Sequence, residues 1–214
     1  MPRRPRVKIC GVTRPEDARR AAALGADAVG LVFYPPSPRA VSVEQAQAIT
    51  HALPPFVCAV AVFLDAEPAA VRDVLGSVRV HLLQFHGEES AEECERYGPP
   101  YIKAVRVGAG GDVLAYARRH ARASGFLLDT YHHRKPGGTG LTFDWSLVPR
   151  ELDRPVILAG GLTAENVGEA VERVRPYGVD VSTGVESVPG IKDAAKLEAF
   201  MRGIDRVGAA ETQS

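Results

Sequence analysis

The amino-acid sequence predicts an α/β protein with a single (β/α)8 (TIM) barrel, a closed ring of eight parallel strands with a helix after each strand. Short apolar runs alternate with amphipathic segments, eight such pairs occur, and they begin about every 25 residues along the 214-residue chain. A doubly wound sheet, the competing architecture, more often stops at about five or six strands. We therefore expect one domain over residues 1–206 and a frayed tail over residues 207–214.

The strands are predicted from short apolar runs that end in polar residues or glycine. Residues 56–63 are apolar throughout, as expected for a strand that is covered on both faces. The predicted strands are Arg6–Cys10, Asp27–Phe33, Phe56–Phe63, His81–Phe85, Tyr101–Val107, Phe126–Asp129, Pro155–Ala159 and Val179–Ser182.

The helices are predicted from amphipathic spacing together with helix-start signals. Thr13 and the early acids Glu16 and Asp17 mark the start of the first helix, and Ser42 is the expected cap of the second. The predicted helices are Pro15–Leu24, Val43–Leu53, Glu67–Leu75, Ser90–Tyr97, Val113–Ala123, the short Phe143–Leu147, Ala164–Val174 and Ala194–Met201.

Composition excludes several classes of partner. Lys+Arg and Asp+Glu both number 26, so there is no electrostatic case for general nucleic-acid binding. No apolar run approaches the ~20 residues of a membrane span, and no apolar signal core follows the N-terminus, so we expect a cytoplasmic protein with no membrane association. Cys10, Cys58 and Cys94 form no CxxC pair and are expected to be free thiols. No metal-binding motif is present.

A barrel brings the C-terminal ends of all its strands around one pocket, so polar residues there are candidates for a shared site. Each predicted strand is followed closely by glycine or by a polar side chain. These are Cys10-Gly11, residues 34–39, Asp65, Gln84 with His86, Arg106, Asp129, Gly160-Gly161 and residues 182–184.

Asp129 is the acid among these candidates. The apolar run 125–128 ends abruptly in this carboxyl, and a polar loop follows that closes with Gly137-Gly138-Thr139-Gly140. A carboxylate at the end of a buried strand, beside a glycine-rich loop, is where α/β enzymes place chemistry. The alternative is that Asp129 only caps or turns the chain.

The loops after the seventh and eighth strands are candidates for a phosphate site, because barrels commonly bind phosphate there with backbone amides. Their sequences are 159–163 (AGGLT) and 182–185 (STGV), and the hydroxyls of Ser182 and Thr183 add possible donors. The alternative is two tight turns that need positive φ. A rival signal, the glycines of residues 108–111, has Val113 where GxGxxG needs its third glycine, and we interpret it as a flexible turn.

Three further side chains complete the candidate set. Cys10 is predicted to face the pocket, with Lys8 on the same strand face where its charge would favour the thiolate. Arg39 lies in a proline-fixed turn and suits a carboxylate, although most of the arginines are expected to be solvated. His86 is either a ligand contact or a rim histidine.

Several motifs, in order and at the expected strand ends, resemble one enzyme family. They are 8–13 (KICGVT), 33–39 (FYPPSPR), 84–87 (QFHG), 128–130 (LDT), 137–140 (GGTG), 143–145 (FDW), 159–162 (AGGL) and 180–186 (DVSTGVE). Over roughly residues 7–200 the chain is similar to the phosphoribosylanthranilate isomerases of tryptophan biosynthesis. The departures are mild: Thr183 stands where the family often has serine, and Leu141 where a polar residue is frequent.

The resemblance implies a ribulose-phosphate-binding barrel that catalyses an Amadori rearrangement of a phosphorylated sugar–anthranilate substrate without a cofactor. It implies Cys10 as general base, Asp129 as general acid and Arg39 as the partner of the anthranilate carboxylate. It places phosphate on the loops that contain Gly140, Gly160, Gly161 and Gly184, and it leaves a monomer or a homodimer open.

Three other functions remain to be weighed against this one. The histidine-pathway sugar isomerase has an aspartate where Cys10 stands, and indole-glycerol-phosphate synthase needs a catalytic lysine with no clear match at a strand end. From a different class, a degenerate barrel could sense a phosphorylated metabolite without turning it over.

Overall fold

The computed structural model describes residues 4–107, 112–130, 144–149 and 151–210. Eight parallel strands form a closed barrel in the order β1 to β8, which confirms the predicted (β/α)8 fold. The strands are β1 Arg6–Cys10, β2 Ala28–Val32, β3 Cys58–Phe63, β4 Leu82–Phe85, β5 Tyr101–Val107, β6 Gly125–Thr130, β7 Val156–Leu158 and β8 Gly178–Val181.

The first and last strands of the barrel pair with each other and close the ring. Arg6 lies opposite Gly178 and Lys8 opposite Asp180 in a parallel register. On its other edge β1 pairs with β2, where Cys10 lies opposite Gly30. Because all strands run the same way, the residues that end them collect at one end of the barrel, here called the C-terminal mouth.

Seven α-helices surround the described part of the barrel. Prolines at the first turn begin α1 and α3, and reciprocal capping boxes of Ser42 with Gln45 and Ser90 with Glu93 begin α2 and α4. The helices are α1 Pro15–Ala23, α2 Val43–His51, α3 Pro68–Ser77, α4 Ala91–Glu95, α5 Val113–Arg119, α6 Val167–Val174 and α7 Ala194–Ala210.

Several predicted boundaries were wrong for local reasons. The short helix expected over Phe143–Leu147 is a single 3-10 turn, Trp145–Leu147, and Phe143 lies outside the described residues. Helix α6 begins at Val167 rather than Ala164, because the Asn166 amide accepts from the Thr163 N–H and donates to the Gly161 carbonyl, which holds a turn there.

The end of the chain also differs from expectation. Helix α7 continues to Ala210, and Val207 is buried, so the helix runs past the point where the tail was predicted to begin. Residues 211–214 of that tail lie outside the described residues. Between β8 and α7 the sequence had predicted no strand, yet a small antiparallel hairpin forms from β9 Glu186–Val188 and β10 Ile191–Lys192.

Two kinds of core stabilise the barrel. The larger lies between strands and helices and includes Ile9, Leu31 and Phe63. Alternate strand residues form smaller clusters inside the barrel, one around Cys10, Val60 and Val62 and the other around Ile102, Ala104, Leu127 and Ala159. In the described part of the chain, no helix is long and apolar enough to cross a membrane.

Candidate active site at the C-terminal mouth

The predicted site residues do converge at the C-terminal mouth. Cys10 is the last residue of β1 and Asp129 the penultimate residue of β6. Gly160 and Gly161 follow β7, and residues 182–184 follow β8. Gly140, the remaining glycine of the predicted set, lies outside the described residues.

Cys10 occupies space that a glycine on the neighbouring strand provides. Its side chain lies in the barrel and the residue is only 9% exposed. A Cβ at Gly30 would lie 2.7 Å from the Cys10 Sγ and 3.1 Å from the Lys8 Nζ. Gly30 therefore makes room for a thiol and an ammonium group side by side, as the shared strand face of Lys8 and Cys10 predicted.

Lys8 is committed to a second partner across the β1–β8 pairing. Its Nζ donates to Asp180 Oδ1 over 2.8 Å, and both side chains are almost fully buried. Burial raises the pKa of the Cys10 thiol, Asp180 raises it further, and the charges of Lys8 and Lys192 only partly oppose this. The prediction that Lys8 favours the thiolate is right in sign, but burial and Asp180 outweigh it.

The other two thiols have different surroundings. Cys94 is fully buried on α4, and burial raises its pKa to about 12. Cys58 is half-buried at the opposite end of its strand from the C-terminal mouth. Both are free thiols, as expected, and neither lies at the mouth.

Asp129 is connected to a short chain of polar side chains. His86 Nε2 lies 3.2 Å from Asp129 Oδ2, and His86 Nδ1 lies 3.0 Å from the amide nitrogen of Gln84. When Gln84 donates to Nδ1, the ring has its proton on Nε2 and donates to the carboxylate. His86 is therefore a hydrogen-bonded neighbour of Asp129. Gln84, one of the strand-end candidates, is only 1% exposed.

Arg39 reaches the same mouth from the β2–α2 loop. Its Nε and Nη2 donate to the two carboxylate oxygens of Glu186 over 2.9 and 2.6 Å, and Nη2 also lies 3.3 Å from Thr183 Oγ1. Gly11 has a φ of +70°, and a Cβ there would lie 2.5 Å from Arg39 Cδ, so glycine at this position lets the arginine stem pass. Arg39 is thus a fixed guanidinium and not a solvated surface arginine.

Glu186 and Lys192, both on the unpredicted hairpin, are the functional candidates that the sequence analysis missed. The Lys192 Nζ donates to Glu186 Oε1 over 2.8 Å, to the Cys10 carbonyl over 2.6 Å and to the Ser182 carbonyl over 3.3 Å. Burial lowers the pKa of Lys192, and the neighbouring Glu186 carboxylate only partly offsets this by raising it. Burial would raise the pKa of Glu186, but Arg39 and Lys192 together lower it. Glu186 ends the motif 180–186, which was the available signal.

The loops after β7 and β8 approach each other closely. Gly160 and Gly161 have φ values of +86° and +65°, so the loop after β7 contains a tight turn, which was the alternative to a phosphate site there. A Cβ at Gly184 would overlap the carbonyl oxygen of Leu162. The Ser182 hydroxyl is buried, and no hydrogen-bond partner for it is found among the described residues. These loops therefore present backbone and one unused hydroxyl to the mouth.

The barrel and its mouth together define a class of protein. A thiol, a carboxylic acid and a fixed guanidinium stand at the C-terminal ends of the strands of a (β/α)8 barrel, where this architecture places its catalytic groups. Within the described ranges, no cluster of His, Cys, Asp and Glu is suited to hold a metal ion. The arrangement is that of a (β/α)8-barrel enzyme.

Comparison with known proteins gives the family. Residues 7–203 match the family model described as N-(5'-phosphoribosyl)anthranilate (PRA) isomerase. The N-(5'-phosphoribosyl)anthranilate isomerase of Pseudomonas fluorescens is 60% identical over 201 residues, which cover 94% of this chain and 96% of the relative. That of Nitrosococcus oceani is 56% identical over 204 residues, which cover 95% and 99%.

Comparison with solved structures gives the same family. The crystal structure of phosphoribosyl anthranilate isomerase from Thermotoga maritima has a TM-score of 0.86 at 44% identity and covers 94% of this chain and 99% of its own. A structure of the enzyme with reduced 1-(o-carboxyphenylamino)-1-deoxyribulose 5-phosphate has a TM-score of 0.84 at 42% identity, with the same coverage. The chain belongs to the phosphoribosylanthranilate isomerase family, and it is an enzyme.

Proposed function

We propose that this enzyme catalyses the Amadori rearrangement of N-(5-phosphoribosyl)anthranilate to 1-(2-carboxyphenylamino)-1-deoxyribulose 5-phosphate in tryptophan biosynthesis. Cys10 is the general base and Asp129 the general acid. The observation that supports these roles most is their placement. Cys10 is the last residue of β1 and Asp129 the penultimate residue of β6. These strands are separated around the barrel by β7 and β8, so a sugar ring bound at the mouth lies between the two groups.

The acid acts first. Asp129 gives its proton to the furanose ring oxygen, the C1–O bond breaks, and the anthranilate nitrogen supplies the electron pair that forms the iminium ion. Asp129 is only 7% exposed and lies beside His86.

The base acts second. The iminium ion makes the proton on C2 acidic, and the Cys10 thiolate removes it to give an enolamine. The enolamine then takes a proton on C1 and loses the proton of its C2 hydroxyl, which gives the ketone. Because burial raises the pKa of the free Cys10 thiol, the cationic iminium next to it helps to form the thiolate at the moment when it is needed.

The remaining site residues bind the two anionic ends of the substrate. Arg39 receives the anthranilate carboxylate, since its planar guanidinium is fixed in place by Glu186. The phosphate binds to the loops after β7 and β8, and His86 contacts the sugar near Asp129. The phosphate-binding residues of the proposal are Gly140, Gly160, Gly161, Ser182, Thr183 and Gly184.

A mutant pair tests the role of the acid. Replacing Asp129 with Asn removes the proton but keeps the shape, so we expect kcat to fall at least ~10²-fold. Asp73→Asn on the exposed face of α3 is the control and should have wild-type turnover. The assay follows the loss of substrate fluorescence as N-(5-phosphoribosyl)anthranilate, made in situ, is consumed. Wild-type turnover by Asp129→Asn would refute the assignment.

The rival functions fit the mouth less well. A histidine-pathway isomerase would place an aspartate at the end of β1, where this chain has Cys10. A sensor would bind the substrate without consuming it, which the same fluorescence assay detects. For assembly, the proposal includes a monomer or a homodimer, and the Thermotoga maritima relative is described as dimeric.

A further inference from the structure

The proposed chemistry gives no role to Lys192. Its side chain is fully buried, and its ammonium group contacts three separate parts of the mouth. It donates to the carbonyl of Cys10 at the end of β1, to the carbonyl of Ser182 after β8, and to the carboxylate of Glu186 on β9. A buried lysine with this set of acceptors connects the base, one phosphate loop and the arginine site.

The charges around Arg39 do not cancel. Arg39 and Glu186 alone would form a neutral pair, and a substrate carboxylate would gain little from approaching it. Lys192 adds a second cation to the same carboxylate, so two cations and one carboxylate leave one net positive charge. That charge is partly buried, because the Arg39 side chain is 15% exposed and Glu186 only 3%.

The geometry leaves one edge of the guanidinium available. Glu186 accepts from Nε and Nη2, and Thr183 lies near Nη2. Among the described residues, no acceptor is found for Nη1. A planar carboxylate can therefore approach the Nη1 side while Glu186 holds the opposite edge.

We propose that Lys192 is a positioning residue that sets specificity for a carboxylated substrate. It keeps the Arg39–Glu186 pair net positive, and through the Cys10 carbonyl it fixes the distance between this pair and the base. This inference rests on the proposed role of Arg39. A purely structural lysine would stabilise the hairpin and leave the preference for carboxylated ligands unchanged.

The test compares two ligands that differ in one group. One is reduced 1-(o-carboxyphenylamino)-1-deoxyribulose 5-phosphate, and the other is the same compound without the carboxyl group. Calorimetric Kd values for both give a carboxyl preference, the ratio of the two. Wild type, Lys192→Gln, Lys192→Met and Arg39→Ala are compared. Lys192→Gln removes the charge and keeps an N–H donor on a side chain that is one bond shorter, whereas Lys192→Met removes the charge and the donor.

We expect Lys192→Gln and Lys192→Met to lower the carboxyl preference by about tenfold or more, the equivalent of one lost charge contact. The affinity for the ligand without the carboxyl group should stay within about threefold of wild type. Lys196→Met is the matched control, because Lys196 donates to the Glu186 backbone carbonyl and not to its carboxylate. Its carboxyl preference should equal that of wild type.

The other outcomes overturn the proposal in distinguishable ways. Equal weakening of both ligands in Lys192→Gln indicates a structural role and overturns the inference alone. An unchanged carboxyl preference in Lys192→Gln, together with a lost carboxyl preference in Arg39→Ala, also overturns the inference alone. A wild-type enzyme without carboxyl preference, or an Arg39→Ala variant that keeps it, overturns the proposed carboxylate site itself.

Discussion

At the scale of single residues, the mouth depends on places where no side chain fits. Gly30 leaves space for the Cys10 thiol and the Lys8 amine, and Gly11 lets the stem of Arg39 pass. Gly184 is the most constrained, since a Cβ there would overlap the Leu162 carbonyl on the neighbouring loop. The sequence predicted Gly184 as a phosphate-loop residue, but the close approach between its loop and the loop after β7 becomes visible only in the fold.

We therefore predict that Gly184→Ala separates the loops after β7 and β8. The free energy of unfolding should fall by about 1–3 kcal/mol, as for other overpacked sites, and KM should rise because these loops are the proposed phosphate site. Gly76→Ala on α3 is the matched control, because nothing lies within 4 Å of a Cβ there. Its free energy of unfolding should rise by up to about 1 kcal/mol, because alanine has a higher helix propensity than glycine. Urea unfolding gives the stability of each variant, and steady-state kinetics give its KM. Equal stability of the two variants would contradict this reading of Gly184.

Residue identity alone could not reveal which charges pair. The sequence indicated Arg39 as a carboxylate partner, yet its partner in the structure, Glu186, is 147 positions away along the chain. Likewise, His86 and Asp129 are 43 positions apart and meet because β4 and β6 end at the same mouth. Topology predicts that such residues converge, and only side-chain geometry decides their partners.

At the scale of elements, the alternation of strands and helices was predicted well because long apolar patterns dominate it. The β9–β10 hairpin was missed because its strands have three and two residues, shorter than any periodic signal. The helix expected after β6 was wrong for a similar reason. Residues 143–147 (FDWSL) are too few to show a helical period, and the chain forms only a 3-10 turn over Trp145–Leu147.

A buried histidine, His120, follows the last residue of helix α5. His120 is 3% exposed, and its ring is stacked on Tyr116 with centroids 5.3 Å apart. Burial lowers the pKa of His120 to about 4, with smaller contributions from Lys103 and Arg119. Since the unfolded chain protonates this histidine near pH 6.5 and the folded protein does not, stability falls as the pH drops from about 6.5 to 4.

Removing that histidine should flatten the pH dependence. Between pH 7 and pH 5, wild type should lose about 2 kcal/mol of unfolding free energy through His120 alone. His120→Phe keeps a stacked ring and should not lose this unfolding free energy between pH 7 and pH 5. His51→Phe, at an exposed position of α2, should show the same pH dependence as wild type. Urea unfolding at the two pH values tests this. Identical pH slopes for His120→Phe and wild type would show that His120 is not held neutral.

At the scale of the whole molecule, the pairing of β1 with β8 closes the barrel. Lys8 and Asp180, which lie opposite each other in that pairing, form a buried ion pair. Removing one partner leaves the other charge buried and uncompensated. The barrel interior near the mouth is therefore partly polar, and its stability depends on matched charges between the first and last strands.

We predict that Lys8→Met and Asp180→Leu each lower the unfolding free energy by about 3–5 kcal/mol. The double variant should lose less than the sum, because it leaves no unpaired charge. Urea unfolding of the four proteins gives the coupling free energy. Strictly additive losses would mean that the two side chains do not stabilise each other.

The proposed function is the isomerisation of N-(5-phosphoribosyl)anthranilate at the C-terminal mouth, with Cys10 as the base. The most direct measurement is the turnover of wild type, Cys10→Ala and Cys58→Ala in the fluorescence assay. Cys58 belongs to the same interior cluster but begins β3, far from the mouth, so it controls for the loss of a thiol. We predict at least a ~10²-fold lower kcat for Cys10→Ala and wild-type turnover for Cys58→Ala. Equal turnover by all three would contradict the role of Cys10, and no turnover by wild type would contradict the function.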